Sequence, residues 1–532
     1  MRSFASLYAA LDGTTSTNAK LRALAEYFRL APAHDAAWAA YFLTGRRLTR
    51  VVRTADLRDA SLEASDLPPW LFEASYEAVG DLAETIALLL PSPAKAVDES
   101  LAFWVEQRIA PLRDLDPAQV RARLIEAWSL LDREGRFLFV KLLTGALRVG
   151  VGRELVHRAV AEIAGVPVGD VAQRLTGPWQ PTPAFWDVVH ATHGADEPHR
   201  PYPFCLAYPL DTPPQNLGPR DAWQAEWKWD GIRVQMISRH GEVTLWSRGE
   251  ELVSEQFPEL VTAGRKLPPG TVLDGEIVAW PAGSDLPAPF SLLQRRLGRK
   301  QPGMAMLRDV PVRMIAYDLL EHSGSDLRAA TLRTRRGELE RLAASIDPSC
   351  VVISPVLHDA SWEALEQARA GARERRAEGL MLKHLDSAYA AGRTRGIWWK
   401  WKIEPHRIDA VLLYAQPGSG RRASLLTDYT FGVWHDGTLV PFAKAYSGLT
   451  DAEIREMDNW IRRHTIERFG PVRHVEPAQV FELAFEAIQL SKRHRSGVAV
   501  RFPRIARWRK DKRPEDADAL DALKALAEVS SR

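Results

Sequence analysis

The segment Glu226-Trp227-Lys228-Trp229-Asp230-Gly231-Ile232-Arg233 holds the spacing Lys-x-Asp-Gly-x-Arg between two runs that alternate like strands. Two readings compete. In one, Asp-Gly is a favourable hairpin turn and the two cations face solvent. In the other, Lys228 is a nucleophile. An attacking amine must be neutral, and a free lysine, with a pKa of about 10.4, is not. Clustered cations and desolvation lower that barrier. Period-two arithmetic puts Glu226 and Lys228 on one face of the strand.

Further along the chain, other residues of chemical interest sit on strand-like runs. Asp274 and Glu276 in Leu273-Asp274-Gly275-Glu276-Ile277-Val278 share a face, which suits contact with a ribose or a metal. Tyr317 in Ile315-Ala316-Tyr317-Asp318-Leu319-Leu320 reads on its own as a buried strand tyrosine, although its ring can also stack on a purine. In Trp398-Trp399-Lys400-Trp401-Lys402, both lysines face one way, and Trp399 and Trp401 pack in the core on the other. Glu378 and Lys383 lie five apart in Glu378-Gly379-Leu380-Met381-Leu382-Lys383, so strict alternation sends them to opposite faces. A bend or bulge at Gly379 would reconcile them. His384, His406 and His494 are isolated and form no ligand cluster.

The first 190 or so residues read as helices. Thr17 caps a run with Leu21, Leu24 and Phe28 on one face. Asp116 precedes Pro117 and an amphipathic run. A helix from Phe137 ends in a glycine-punctuated turn through Gly145, Gly150 and Gly152, and another starts near Arg153. Leu43-Thr44-Gly45-Arg46-Arg47-Leu48 echoes the segment from Leu143-Thr144-Gly145 in three residues and hints at an internal repeat. Proline density from Pro178 to Pro209 reads as a linker. The middle of the chain is α+β, with a hairpin at His240-Gly241. Beyond Glu404-Pro405, short strands and one helix, opened by the capping box Thr450 to Glu453, fit a small β-barrel. The tail from Pro514 reads as a solvated helix.

Charge and cysteine content narrow the classes. The 532 residues carry 46% hydrophobic and 26% charged side chains with a net charge of +2, so the chain is globular and is not a uniformly basic nucleic-acid coat. Basic charge is instead concentrated from Ser491 to Arg513, where Asp511 is the sole acid. Two cysteines, Cys205 and Cys350, give no disulfide framework and no four-cysteine zinc site, which points to a reducing cytosol. No apolar run is long enough for a membrane span, and the N-terminus lacks a signal-peptide core.

Taken in order, these motifs resemble those of the ATP-dependent DNA ligases within the covalent nucleotidyltransferases. Leu245 to Glu250 resembles the segment that supplies a nucleotide-contacting arginine, Arg248. Arg501 to Lys512 resembles the C-terminal motif, and Lys141 to Gly152 resembles a DNA-backbone-binding turn. In many members an arginine lies six residues before the first of the paired lysines; here Thr394 stands there, flanked by Arg393 and Arg395. RNA ligases and GTP-using capping enzymes share the lysine motif. The helical N-terminal region and Arg501-Phe502-Pro503-Arg504 favour DNA ligation, and the cysteine count disfavours an NAD-dependent ligase with its zinc finger.

The resemblance implies three domains: an all-α DNA-binding domain over residues 1–200, an α+β nucleotidyltransferase (adenylation) domain over 201–404, and an OB-fold β-barrel over 405–532. It implies Lys228 as the residue that carries AMP. Glu226, Arg233, Arg248, Glu276, Tyr317, Lys383, Lys400, Lys402, Arg507 and Lys512 would contact the nucleotide. Glu276 and Glu378 would hold Mg²⁺, with Mn²⁺ as a substitute. Lys141, Thr144, Gly145, Arg148, Gly150 and Gly152 would contact DNA. The implied protein is a cytoplasmic, nucleoid-associated monomer that uses ATP, seals nicked duplex DNA in repair or replication, and has no membrane partner.

Overall fold

The structure is a computed structural model. It describes the chain except residues 49–50, 94–95, 146, 148, 192–199, 298, 300, 419–424 and 532. Two compact units emerge: Met1–Ala23 with Trp38–Gly152 and Glu404–Arg532, and Leu24–Ala37 with Arg153–Ile403.

The second unit is built on two sheets. One runs in the order Val356–Leu357, Trp223–Trp229, Ala377–His384, Trp398–Lys402, Tyr208–Pro209. The other runs Glu242–Ser247, Ile232–Arg239, Thr271–Ala279, Val312–His322, Ser325–Asp326, with Val351–Ile353 parallel to Val312–His322. The strands flanking Asp230-Gly231 therefore belong to different sheets, and the hairpin reading of that turn is corrected: the chain crosses from one sheet to the other there. Gly231 fits because a Cβ would lie 2.2 Å from the Ile277 carbonyl oxygen. The hairpin expected at His240-Gly241 is present, with Arg239 opposite Glu242.

A bulge between Ala377 and Leu380 shifts the register against Trp223–Trp229. Gly379 makes it, at φ +134, and a Cβ there would come 2.3 Å from the Trp401 carbonyl. The predicted bend is thus a real break in alternation. Trp401 and Leu380 pack with Trp223, Trp362 and Leu382, and Trp399 lies against that cluster, so both tryptophans serve the core as expected.

In the first unit, the described residues of 1–23 and 38–152 form helices and turns only. Asp116 caps Pro117–Leu130 in a full capping box with Gln119. Arg133–Thr144 ends at Gly145 in the left-handed region, φ 64. The Thr17–Leu30 helix is capped one residue earlier than expected, by the Ser16 hydroxyl accepting from the Ala19 amide at 3.3 Å.

The C-terminal part of this unit is an antiparallel sheet whose central strand, His406–Pro417, pairs with Leu426–His435, Val472–Val475 and Val480–Phe485. The helix Asp451–Arg463 opens on the predicted Thr450–Glu453 box and buries Ile454, Met457 and Ile461. The tail is not purely solvated: in the helix Leu520–Ser531, Leu520, Leu523 and Ala527 are buried in this core. The proline-rich stretch in the second unit likewise holds more than a linker, because Thr182 caps a helix, Pro183–His190, with Trp186 and Val189 buried.

One ion pair anchors the two-sheet unit from within. Asp318, next to Tyr317, takes Arg335 Nε at 2.7 Å and Nη2 at 3.0 Å, and both side chains are fully buried. Arg335 Nη1 also donates to the Ala330 and Ser387 carbonyls. Replacing Arg335 by Met strands a buried carboxylate and should cost about 3–5 kcal/mol. The double variant Arg335→Met/Asp318→Leu should regain most of that in thermal unfolding. Equal losses in single and double variants would show that the pair does not act as a unit.

Candidate active site

The cleft begins with Lys228. Its Nζ lies 2.5 Å from Glu378 Oε2, and Lys402 Nζ is 3.3 Å from the same oxygen. Two ammonium groups thus share one carboxylate. Burial works to raise the Glu378 carboxyl, but Lys228 and Lys402 outweigh it and hold it down at about 2. Both Lys228 and Glu378 are about one-fifth exposed, accessible yet largely dry.

A second pair lies further along the same strands. Lys383 Nζ donates to Glu226 Oε1 at 2.8 Å, and Gln224 Nε2 donates to that oxygen at 2.6 Å. Lys383 faces Gln224 across the strand pair, with Met381 opposite Glu226. The Gly379 bulge is what allows Glu378 and Lys383 to serve one cleft. Lys383 Nζ also sits 4.4 Å from the centre of the Tyr317 ring and 4.6 Å from that of Trp398.

Arg233 is held rather than presented. Its Nε and Nη2 donate to Asp274 at 3.1 and 2.6 Å, and Nη1 donates to the Cys205 carbonyl at 2.6 Å. The rings of Phe204, Tyr317 and Trp398 surround it. Asp274, expected to face a ribose or metal with Glu276, is instead fully buried and engaged by Arg233 and by the Tyr389 hydroxyl at 2.6 Å. That leaves Glu276 as the carboxylate of this strand offered to a ligand. Burial pushes its carboxyl up to about 8, with Lys228 and Arg233 pulling the other way and Glu378 and Asp274 adding to the rise. Hard carboxylate oxygens on Glu276 and Glu378, one destabilised as an anion, fit a divalent cation. No group of three or more His, Cys, Asp or Glu side chains suited to a metal occurs among the described residues, so such a cation would need ligands from a substrate or water.

Comparison with known proteins gives three matches in order. A family model described as DNA ligase N terminus matches residues 1–161, one described as ATP dependent DNA ligase domain matches 206–402, and one described as ATP dependent DNA ligase C terminal region matches 422–512. The chain belongs to the ATP-dependent DNA ligase family. A protein of Koribacter versatilis named "Probable DNA ligase" is 34% identical, over 97% of this chain and 95% of its own length. A "DNA ligase" of Natronomonas pharaonis is 34% identical, over 76% of this chain and 74% of its own length. The solved structure Pmar-Lig_PreS3 shares the fold at a TM-score of 0.64 and 16% identity, covering 95% of this chain and 99% of that one. The chain is therefore a ligase with an N-terminal, an adenylation and a C-terminal β domain; it uses ATP, and its family works with a divalent metal.

The remaining residues of this ligase that were singled out in the sequence have varied surroundings. Arg248 is exposed, and its backbone amide donates to the Arg233 carbonyl. Lys400 lies beside Lys402 on the paired-lysine strand, and Arg393 and Arg395 are both exposed. Lys512 Nζ is 2.5 Å from Asp409, and Arg507 is 3.3 Å from Asp511, so both cations have carboxylate partners.

Lys141 is a correction. It is buried, its ammonium is paired with Asp81, and it lies over the Phe137 ring, so it is not a free cation for a phosphate. Thr144, Gly150 and Gly152 are exposed, whereas Arg148 lies outside the described residues. Gly45 and Gly145 at the two helix ends line one cleft of about 350 Å³ together with Arg46, Arg47, Gly150 and the Asp81-paired Lys141. Arg46 and Arg47 belong to the sequence echo but were not among the expected DNA contacts. Lys20 was missed altogether: its Nζ donates to the Val149 and Gly150 carbonyls at 2.6 and 3.1 Å and fixes the glycine turn.

The raised Glu276 carboxyl has a measurable consequence. The folded state keeps its proton up to about pH 8, while the unfolded chain loses it near the ordinary 4.5. Stability from this group is therefore present below the lower value and lost as pH rises through the upper one. Glu276→Gln should flatten the fall in melting temperature over that window. A divalent cation should raise the melting temperature of the wild type above pH 8 and leave the variant unchanged. Parallel pH profiles would contradict the assignment.

Proposed function

We propose that the chain seals 5′-phosphate/3′-hydroxyl nicks in duplex DNA, in repair or replication, by carrying AMP on Lys228. The observation that carries this reading is the Lys228–Glu378–Lys402 cluster beside Glu276. Lys228 and Lys402 share the Glu378 carboxylate, which fixes the Lys228 amine in place; attack requires its neutral form. The Lys228 amine attacks the α-phosphorus of ATP; a P–N bond forms and the bond to pyrophosphate breaks. A 5′-phosphate oxygen at the nick then takes the AMP and the lysine regains its proton. Finally the 3′-hydroxyl attacks the 5′-phosphorus and AMP leaves. Each step is an in-line phosphoryl transfer that depends on positioning and charge neutralisation.

Other residues follow from their surroundings. Tyr317 would stack on the base. Glu226 would accept a hydrogen bond from the base edge, because its Oε2 takes no donor among the described residues. Lys383, Lys400, Lys402 and Arg248 would line the sugar and phosphates, while Arg233 stays closed on Asp274 and supports the Tyr317 ring. Arg507 and Lys512 would exchange Asp511 and Asp409 for the pyrophosphate. Glu276 and Glu378 would hold Mg²⁺, or Mn²⁺ in its place, which supplies charge neutralisation on phosphate oxygens. We assign residues 1–200 to a helical DNA-binding domain, 201–404 to the adenylation domain and 405–532 to an OB-fold barrel, acting as a cytoplasmic, nucleoid-associated monomer on nicked duplex.

Lys228→Ala should abolish transfer of label from ATP to protein while retaining some sealing of a nick adenylated beforehand. Covalent AMP persisting on the variant would sink the assignment.

For DNA, Arg46 and Arg47 beside Gly145 and the exposed Thr144, Gly150 and Gly152 would offer guanidinium groups to phosphates. Arg46→Ala/Arg47→Ala should weaken nick binding and lower the slope of log K against log salt by about one to two. Lys141→Met should leave the slope unchanged, since Asp81 already holds that ammonium. The opposite pattern would restore Lys141 as the phosphate contact.

A further inference from the structure

Gln224 is a buried amide, 4% exposed, one strand period before Glu226. Its Nε2 donates to Glu226 Oε1 at 2.6 Å, and Lys383 Nζ donates to the same oxygen at 2.8 Å. Two donors on one oxygen fix the plane of the carboxylate and leave Oε2 as a pure acceptor. Glu226 is itself 1% exposed, so its orientation is set by these partners rather than by water. Lys383 ties the carboxylate to the Tyr317 ring, 4.4 Å from the ammonium. A carboxylate beside a stacked purine discriminates by hydrogen-bond sign: the 6-amino group of adenine donates, and the 6-oxo group of guanine only accepts. The strand register explains why an amide is suited to position 224. Gln224 lies directly opposite Lys383, so a cation there would face a cation, and an aliphatic side chain would leave Oε1 with one donor.

We infer that Gln224 is a positioning residue for base selection, holding the Glu226 carboxylate so that Oε2 accepts from the 6-amino group of ATP; this rests on the nucleotide reading of the cleft above. Loss of the amide frees the carboxylate to turn, which weakens recognition of the amino group and leaves the phosphate chemistry at Lys228 intact.

The test uses the full chain and measures KM and kcat for formation of the covalent nucleotidyl-protein with ATP and with purine riboside 5′-triphosphate, which lacks the 6-amino group. In Gln224→Met, the KM for ATP should rise about tenfold. The KM for the amino-free nucleotide should stay within about twofold, and kcat should change little with either. An equal rise with both nucleotides would reduce Gln224 to a packing role and overturn the inference. Glu226→Ala separates the two levels. If it erases the preference for ATP while Gln224→Met keeps it, Gln224 alone is wrong; if it retains the preference, the contact between Glu226 and the base falls and takes the inference with it. Should the methionine variant not fold, Gln224→Ser carries the same comparison.

Discussion

Glu378 and Lys383 leave one strand five residues apart, and a regular pleat would send them to opposite sides of the sheet. The backbone at Gly379, with φ +134 and the Trp401 carbonyl closing the space a Cβ would take, removes that conflict. Its consequences spread through the cleft. Upstream of the bulge, Glu378 meets Lys228 and Lys402; downstream, Lys383 meets Glu226. Without the register shift, one of these carboxylate–lysine pairs would have to form on the wrong side of the sheet. The glycine is required by the close approach of the lysine strand as much as by its own dihedral angle.

The ionic groups of this unit divide by their partners. Arg335 and Asp318 are closed upon each other, as are Arg233 and Asp274, the latter sealed by Tyr389 and three further aromatic rings. Pairs of this kind contribute little net stability against apolar replacements but are costly to break singly. Their value here is positional: they hold Tyr317 and the strand Ile232–Arg239 without drawing on the cleft's own charges. Glu378 and Glu276 are different. Glu378 is shared by two cations and Glu276 has no cation bonded to it among the described residues, so both keep capacity for a ligand.

Much of this was legible in the sequence where chemistry is local. The spacing around Lys228, the alternation that pairs Lys400 with Lys402, and the anomaly at Gly379 all concern residues within one strand, and each has its counterpart in the structure. The hairpin reading of Asp230-Gly231 failed because dihedral preference at a turn says nothing about which sheet the next strand joins. Long-range partners were equally invisible. Nothing near Lys141 signals that Asp81 holds its ammonium, and nothing near Tyr389 or Arg335 signals Asp274 or Asp318. Lys20 escaped for the same reason, since the carbonyls it grips lie more than a hundred residues away.

The helical part of the first unit makes the same point about repeats. Thr44 and Thr144 each turn a hydroxyl back onto the carbonyl four residues earlier, at 2.7 and 2.9 Å, and each is followed by a glycine of positive φ. At both ends the glycine amide donates back into the helix, Gly45 to the Phe42 carbonyl and Gly145 to the Leu142 carbonyl, so the last turn closes on itself. Two such ends line one cleft, with Arg47 packed over Gly145, and the positive charge there comes from placed side chains rather than from net charge. That is consistent with a chain of net charge +2, in which affinity for a polyanion must be placed locally. Of the cations that line this cleft, Lys141, a candidate by sequence, is already paired with Asp81, and the arginines of the echo, one hundred positions earlier, lie beside it.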